Sequence, residues 1–145
     1  MLVRQIMNKS LVTALPTTTV HEAARQMMEY NVGSILVVEE GGKLKGILTD
    51  RDIALAVAAN SKDPGSTFVS DIMTPDPITI SPDADIDSAI RIMHKAHIRR
   101  LPVVDNGKLV GFLSADDIAN ALKWEFDQFM GIEGAYTKQG VYATV

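Results

Sequence analysis

The chain has 145 residues, of which 46% are hydrophobic and 22% are charged, and its formal net charge at pH 7 is −4. A chain of this size and composition folds as one compact domain or as two small units that share a core. The absence of cysteine excludes disulfides, thiolate nucleophiles and cysteine-ligated metal centres.

The negative charge balance argues against a broad surface for DNA or RNA, since phosphate-binding proteins usually carry a strongly basic stripe. The N-terminal residues 1–7 contain no basic leader followed by a long apolar stretch. No apolar segment of the sequence is long enough to cross a bilayer. The sequence therefore predicts a cytoplasmic protein with no membrane or nucleic-acid partner.

The two halves of the chain repeat the same residues in the same order. Val3 and Met7 recur as Val69 and Met73. An internal repeat of this kind indicates that one supersecondary unit occurs twice. Further pairs at nearly the same spacing are Pro16 and Pro82, Ala23 and Ala89, Met27 and Met93, Gly46 and Gly111, and Asp52 and Asp117.

Each half begins with a short apolar stretch that ends at a proline, which predicts a first strand followed by a turn. Apolar residues then recur at intervals of three and four, which predicts a helix. Thr19 and Glu22 have the spacing of a capping box at the start of the first helix, and Asp85 is the expected cap of the second. These strands are expected at 11–15 and 78–80, and these helices from Val20 and from Ile86.

Two further strands in each half are separated by residue pairs that are typical of tight hairpins, Gly-Gly at 41–42 and Asn-Gly at 106–107. A hairpin lets the two strands pair antiparallel directly after each other in the chain. The four strands are expected at 35–38, 44–48, 101–104 and 109–113.

A second helix is expected to start at Thr49 in the first half and at Ser114 in the second, and to end near Ala59 and Lys123. Each half thus has the order β-α-β-β-α, which predicts an α+β (mixed α/β) fold. Residues 125–130 are compatible with an extension of the last helix up to Gly131. The expected domains are 1–66 for the first unit with its linker, 67–124 for the second, and 125–145 for a C-terminal extension.

Segments 46–52 (GILTDRD) and 111–117 (GFLSADD) both have a glycine, two apolar residues, a hydroxyl residue, two variable residues and an aspartate. Segment 101–105 reads LPVVD. With these features in duplicated units, the chain resembles the cystathionine-β-synthase (CBS) domain pair, or Bateman module, over roughly residues 3–124.

The resemblance implies tandem CBS repeats around a pseudo-twofold axis, with two clefts that bind adenosine ligands such as AMP, ADP, ATP or S-adenosylmethionine. It implies a regulatory module that is not an enzyme, with an adenine nucleotide as ligand and with no required cofactor, catalytic residue or metal. CBS pairs often form disc-like homodimers, so the resemblance also implies a homodimer and a regulated partner protein.

In the family, the aspartate of the pattern holds the ribose hydroxyls and the Ser or Thr lies near the ribose or phosphate. A carboxylate can accept from two vicinal hydroxyls, and a helix N-terminus offers free N–H groups to a phosphate. The resemblance assigns to the first cleft Thr49, Arg51, Asp52, Ile78, Ile98, Arg99 and Arg100. It assigns to the second cleft Val12, Val32, Phe112, Ser114 and Asp117.

The two clefts are expected to differ in charge. Residues 99–100 are Arg-Arg, whereas 33–34 are Gly-Ser at the matching place in the first repeat. Arg51 adds a third guanidinium to the first cleft, and the second carries Asp116 instead. A phosphate chain is therefore expected to prefer the first cleft.

Other interpretations fit parts of the pattern. Thr49 with Asp52, and Ser114 with Asp117, also suit simple helix capping, which is compatible with binding. The arginines before strand 101–104 also suit a solvated turn. An interaction module without a physiological nucleotide is the alternative function.

The residues present predict neither a metal site nor a catalytic site. His94 and His97 lie three residues apart on a helix, but no third ligand accompanies them. The carboxylates of 50–52 and 116–117 lie close together in the chain, but no nucleophile and base accompany them. Gly46 and Gly111 are expected to admit a ligand or the other repeat, so that a β-carbon there weakens binding more than folding.

Overall fold

The computed structural model describes residues 1–139, with the side chains of all of these except 133 and 135–139. The helices are α1 (Val3–Ile6), α2 (Val20–Tyr30), α3 (Asp50–Ala54, continued by a π-helix at Leu55–Ala59), α4 (Val69–Ile72), α5 (Ile86–Ala96) and α6 (Ala115–Gln139). The strands are β1 (Thr13–Ala14), β2 (Ser34–Val38), β3 (Leu44–Thr49), β4 (Thr74–Pro75), β5 (Arg100–Asp105) and β6 (Lys108–Ser114).

The two repeats build sheets of the same design, which confirms the predicted α+β fold. In the first repeat the strand order is β1-β2-β3-β4, with β1 parallel to β2 and the other pairs antiparallel. In the second repeat β5 pairs antiparallel with β6. At the positions that correspond to the outer strands β1 and β4 of the first repeat, the second repeat has only single β-bridges. Ile80 bridges Val103 in parallel, and Asn8 bridges Phe112 antiparallel.

The short helices α1 and α4 exchange places between the repeats. Val3 is fully buried in the core of the second repeat with Leu101 and Leu113, whereas Val69 is fully buried in the core of the first with Leu48. Their amides are anchored there as well, at 2.9 Å from the Ala84 carbonyl for Val3 and at 2.8 Å from a carbonyl of the first repeat for Val69. Each core is therefore completed by a segment from the other repeat.

The predicted helix caps are present. Thr19 Oγ1 accepts the Glu22 N–H at 3.2 Å, although the Glu22 carboxylate lies toward Arg25, at 3.8 Å from its guanidinium. Asp85 Oδ1 accepts the Asp87 N–H at 3.0 Å. That backbone hydrogen bond holds the pKa of Asp85 below its ordinary value. The caps place α2 and α5 where the sequence predicts them.

The Asn-Gly hairpin forms as predicted, with positive φ at both Asn106 (50°) and Gly107 (79°). The predicted first strands are longer than observed, because only Thr13–Ala14 forms a strand in the first repeat and only Ile80 bridges in the second. In these stretches only Ala14 and Ile80 are buried, and they are the residues that pair with the neighbouring strand or directly adjoin that pairing.

The last helix does not end near Lys123 or at Gly131, as predicted, but continues to Gln139. A glycine costs a helix about 1 kcal/mol relative to alanine, which weakens it without ending it. A 2.7 Å ion pair between Lys123 and Asp127, one turn apart, supports the helix beyond the second repeat. Residues 134–139, whose sequence has no periodicity that predicts a structure, continue this helix, and residues 140–145 lie outside the described residues.

Candidate functional site

Two clefts lie at matching positions between the repeats. The larger, cleft A, has a volume of about 350 Å³. It is lined by Ile47, Thr49, Thr74, Asp76, Pro77, Ile78, Ile98, Arg99, Arg100 and Pro102. Because β3 and the chain after β4 meet the start of β5 here, both repeats contribute to its walls.

The smaller cleft B has a volume of about 70 Å³. Every residue that lines it matches a residue of cleft A in the internal repeat, such as Val12 with Ile78 and Ser34 with Arg100. It is lined by Asn8, Ser10, Leu11, Val12, Val32, Ser34, Leu36 and Phe112. The pseudo-twofold relation of the repeats thus extends to their clefts, but the sizes differ fivefold.

The structure brings together most of the residues that the sequence assigns to the clefts. Cleft A contains Thr49, Ile78, Ile98, Arg99 and Arg100. Cleft B contains Val12, Val32 and Phe112. The assigned residues outside these linings are Arg51, Asp52, Ser114 and Asp117.

Asp52 and Asp117 are held in capping boxes. The Thr49 N–H donates to Asp52 Oδ2 at 2.8 Å, and the Asp52 N–H donates to Thr49 Oγ1 at 3.2 Å. The Ser114 N–H donates to Asp117 Oδ2 at 2.8 Å, and the Asp117 N–H donates to Ser114 Oγ at 3.0 Å. The capping interpretation of both motifs is therefore confirmed, and each carboxylate keeps Oδ1 outside these bonds.

The charges around cleft A differ from the expected set. Arg99 and Arg100 are both exposed at the cleft, whereas Arg51, expected as a third guanidinium, lies outside its lining. Asp116 was expected to bear on cleft B, but its carboxylate lies 3.2 Å from Arg99 Nη2. Helix α6 begins beside the start of β5, and this proximity directs Asp116 toward cleft A. Asp76 lines the cleft itself and brings a carboxylate into it.

Sequence reasoning missed several cleft residues because they follow the exchanged helices. Thr74, Asp76 and Pro77 lie after α4, and Asn8 and Ser10 lie at the matching places after α1. The spacing of the repeat was the available signal, since it relates each of these positions to its counterpart in the other cleft.

Gly46 and Gly111 admit the exchanged segments, so the predicted close approach of the other repeat is confirmed. A β-carbon at Gly46 would lie 2.5 Å from Met73 Sδ and 2.8 Å from the Thr74 carbonyl oxygen. At Gly111 it would meet the Met7 side chain. Because the atoms that it meets belong to the packing of the exchanged segments, a β-carbon at either position bears on folding as well as on binding.

Comparison with known proteins places the whole repeat region in one family. Residues 3–59 and 69–123 match the sequence profile of the CBS domain. This chain belongs to the CBS domain family. The CBS domain-containing protein YhcV of Bacillus subtilis is 43% identical to it over 117 residues, which cover 81% of this chain and 82% of YhcV.

Solved CBS structures resemble the chain closely. The CBS domain pair of protein MJ0100, in complex with 5′-methylthioadenosine and S-adenosyl-L-methionine, has a TM-score of 0.77 and 34% identity, covering 86% of this chain and 98% of that one. CBSX2 in complex with AMP has a TM-score of 0.75 and 25% identity, covering 85% and 97%. The fold of this chain is that of a CBS domain pair.

The CBS matches end at residue 123, whereas α6 continues to Gln139. The last four turns of α6 are therefore an addition to the CBS pair. Within the described residues, no helix is both long and apolar enough to cross a membrane, and no three His, Asp or Glu side chains cluster as metal ligands would.

A separate groove of about 360 Å³ adjoins cleft B in the first CBS domain. It shares Ser10, Leu11 and Val12 with cleft B and extends to Gln26 and Tyr30 on α2. Gln26 Oε1 is buried there without a hydrogen-bond partner. The second domain has Ile92 at the place of Gln26, which leaves no such acceptor.

Proposed function

We propose that this CBS pair is a regulatory, ligand-sensing module that binds an adenine nucleotide (AMP, ADP or ATP) in cleft A. The observation that carries the proposal is the junction, within one cavity of about 350 Å³, of apolar walls with two adjacent guanidinium groups. A flat base needs the apolar walls and a phosphate needs the cations, so the lining suits the two halves of a nucleotide.

The apolar walls come from both CBS domains. Ile47 belongs to β3 of the first domain, and Ile78 and Ile98 belong to the second. Ile78 is 48% exposed, so its side chain is available to cover a base. A base held between these side chains excludes water from apolar surface that now faces solvent.

The ribose would lie next to the capping box at the start of α3. Thr49 lines cleft A, and the Asp52 carboxylate behind it has one oxygen outside the box. Ribose hydroxyls can donate to that oxygen without breaking the cap. The capping box then serves as a fixed support for a ribose contact.

The phosphates would face Arg99 and Arg100. Charge-assisted hydrogen bonds from arginine to phosphate are among the strongest polar contacts in proteins. Cleft B has Ser34 at the place of Arg100 and one fifth of the volume. Cleft B is therefore proposed to bind phosphate ligands weakly, or to take an uncharged nucleoside.

Related CBS pairs support adenosine compounds as the ligand class, since one is solved with S-adenosyl-L-methionine and 5′-methylthioadenosine and another with AMP. S-adenosylmethionine is therefore a further candidate ligand. A ligand in cleft A contacts both CBS domains, so it can favour one arrangement of the pair over another to the extent that it binds them differently. Such a shift is the proposed signal to a regulated partner protein in the cytoplasm.

Thermal melting of the full chain with ATP, AMP, S-adenosylmethionine and adenosine tests this function. A ligand that binds only the folded state at one hundred times its Kd adds about 2.7 kcal/mol, which raises Tm by several degrees. The proposal expects the largest shift with a phosphorylated nucleotide. No shift with any of the four compounds would contradict it.

The second candidate is an interaction module that needs no nucleotide. It is favoured by the capping boxes, which already occupy Asp52 and Asp117, and by exposed apolar residues on helices of both domains. These are Met28, Leu55 and Ile90. They also support the proposed homodimer of CBS pairs, whose test is sedimentation of the purified chain.

A further inference from the structure

The end of α6, beyond the second CBS domain, carries an apolar face that nothing in the described chain covers. Phe126 and Phe129 are 60% and 56% exposed, and Ile132 is 54% exposed. With 3.6 residues per turn, these residues lie on the same side of the helix as Ile118, which is buried in the second core. The extension face consists of Leu122, Phe126, Phe129, Met130 and Ile132.

The face continues the line along which α6 packs on its own domain. Near its start, α6 contacts α1, α5 and β6, and Ile118 is 5% exposed. Past Leu122 the same line of side chains is about half exposed. A short helix in water gains most of its stability when its apolar face packs against another surface. This face is therefore expected to pack against a partner.

A membrane surface does not suit the extension. Helices that lie on anionic bilayers present lysine and arginine around their apolar face. Here Lys123 is paired with Asp127 at 2.7 Å, and Glu125 lies on the apolar side itself. Anionic headgroups would repel this helix.

A second copy of the chain does suit it. Five large side chains that are about half exposed offer roughly 100 Å² each, so two copies would bury about 1,000 Å² in total. That area is the lower limit for a specific protein interface. Identical faces meet naturally about a twofold axis, which brings Phe126 and Phe129 of each copy into one shared cluster.

We propose that the α6 extension is a self-association face, covered by the extension of a second copy. The proposal goes beyond nucleotide binding and does not depend on it. It differs from a dimer formed through the CBS helices, because it predicts that association depends on residues after the second CBS domain.

Analytical ultracentrifugation of three full-length proteins tests the proposal. The wild type is expected to self-associate through this face at tens of micromolar, whether or not the CBS helices form a second interface. In the double variant Phe126→Ser, Phe129→Ser, the Kd of association through this face is expected to rise at least about a hundredfold, since central aromatic residues dominate such interfaces. Trp124→Ser is the matched control, because Trp124 is 64% exposed but lies on the opposite side of the helix.

Two outcomes would overturn the proposal, namely a monomeric wild type or a folded double variant that reaches the same association state as the wild type at every concentration. Hydrogen exchange of the wild type needs no variant, so it decides the case if the double variant does not fold. Amides of 122–132 should become at least tenfold better protected at high than at low protein concentration. Unchanged protection, or wild-type binding to phosphatidylglycerol vesicles through this segment, would equally count against self-association.

Discussion

Arg99 Nη2 lies 3.2 Å from the Asp116 carboxylate, at the rim of cleft A. The two side chains are 74% and 82% exposed, so the pair is weak and open to competition. A phosphate that binds Arg99 has to displace Asp116 or share the guanidinium with it. Asp116 therefore opposes the anion that the cleft is proposed to hold.

We expect Asp116→Asn to tighten ATP binding. An exposed ion pair of this type is worth about 0.2–1 kcal/mol, which corresponds to a gain of roughly one and a half- to fivefold in affinity. Isothermal titration calorimetry measures it, with Asp127→Asn as the control because Asp127 pairs with Lys123 on the same helix, away from the cleft. Weaker ATP binding by Asp116→Asn would mean that Asp116 supports the site.

Arg100→Ala should weaken ATP and AMP binding much more than adenosine binding. One charge-assisted hydrogen bond contributes on the order of 1.5–3 kcal/mol, so the nucleotide Kd should rise at least about tenfold. Arg51→Ala is the matched control, since that arginine lies outside the cleft lining. An adenosine affinity as sensitive to Arg100 as ATP affinity would place the phosphates elsewhere.

The two aspartates of the repeated motif should contribute unequally to ATP binding. Asp52→Asn replaces the free carboxylate oxygen that is proposed to accept from the ribose with an N–H donor, whereas Asp117→Asn makes the same change beside Ser114 and away from that cleft. Asparagine can still cap a helix, so folding is little affected in both. We expect calorimetry to show a loss of roughly tenfold or more for Asp52→Asn only, and equal losses would contradict the unequal clefts.

Gly46→Ala should lower thermal stability before it affects binding. The new β-carbon would lie 2.8 Å from the Thr74 carbonyl oxygen, and overpacking of this kind costs about 1–3 kcal/mol. Gly131→Ala is the matched control, because nothing lies within 4 Å of its β-carbon and alanine favours a helix by about 1 kcal/mol. If the melting curve of Gly46→Ala coincided with that of the wild type, the segment after α4 would be able to move away from the new β-carbon without loss of stability.

The features that follow from the internal repeat, namely the order of strands and helices and the position of the clefts, could be predicted from the sequence. Arg99 and Arg100 line cleft A as expected, because their place follows from the strand that they precede. Asp76 was missed because the exchange of α1 and α4 between domains leaves no local pattern. The direction of Asp52 was also beyond sequence reasoning, because a carboxylate three residues after a hydroxyl suits a cap and a ribose equally.

Gln26→Leu should stabilise the chain. Gln26 Oε1 is buried beside the groove next to cleft B without a hydrogen-bond partner, and such a group costs about 1–3 kcal/mol in the folded state. Leucine is close in volume and removes that cost, so we expect a rise in Tm of a few degrees by calorimetry. Gln5→Leu is the matched control with the opposite sign, because Gln5 Oε1 accepts the Leu2 N–H at 2.7 Å. If Gln26→Leu instead lowered Tm, the carboxamide would have a stabilising partner in solution, and the groove would hold a bound donor.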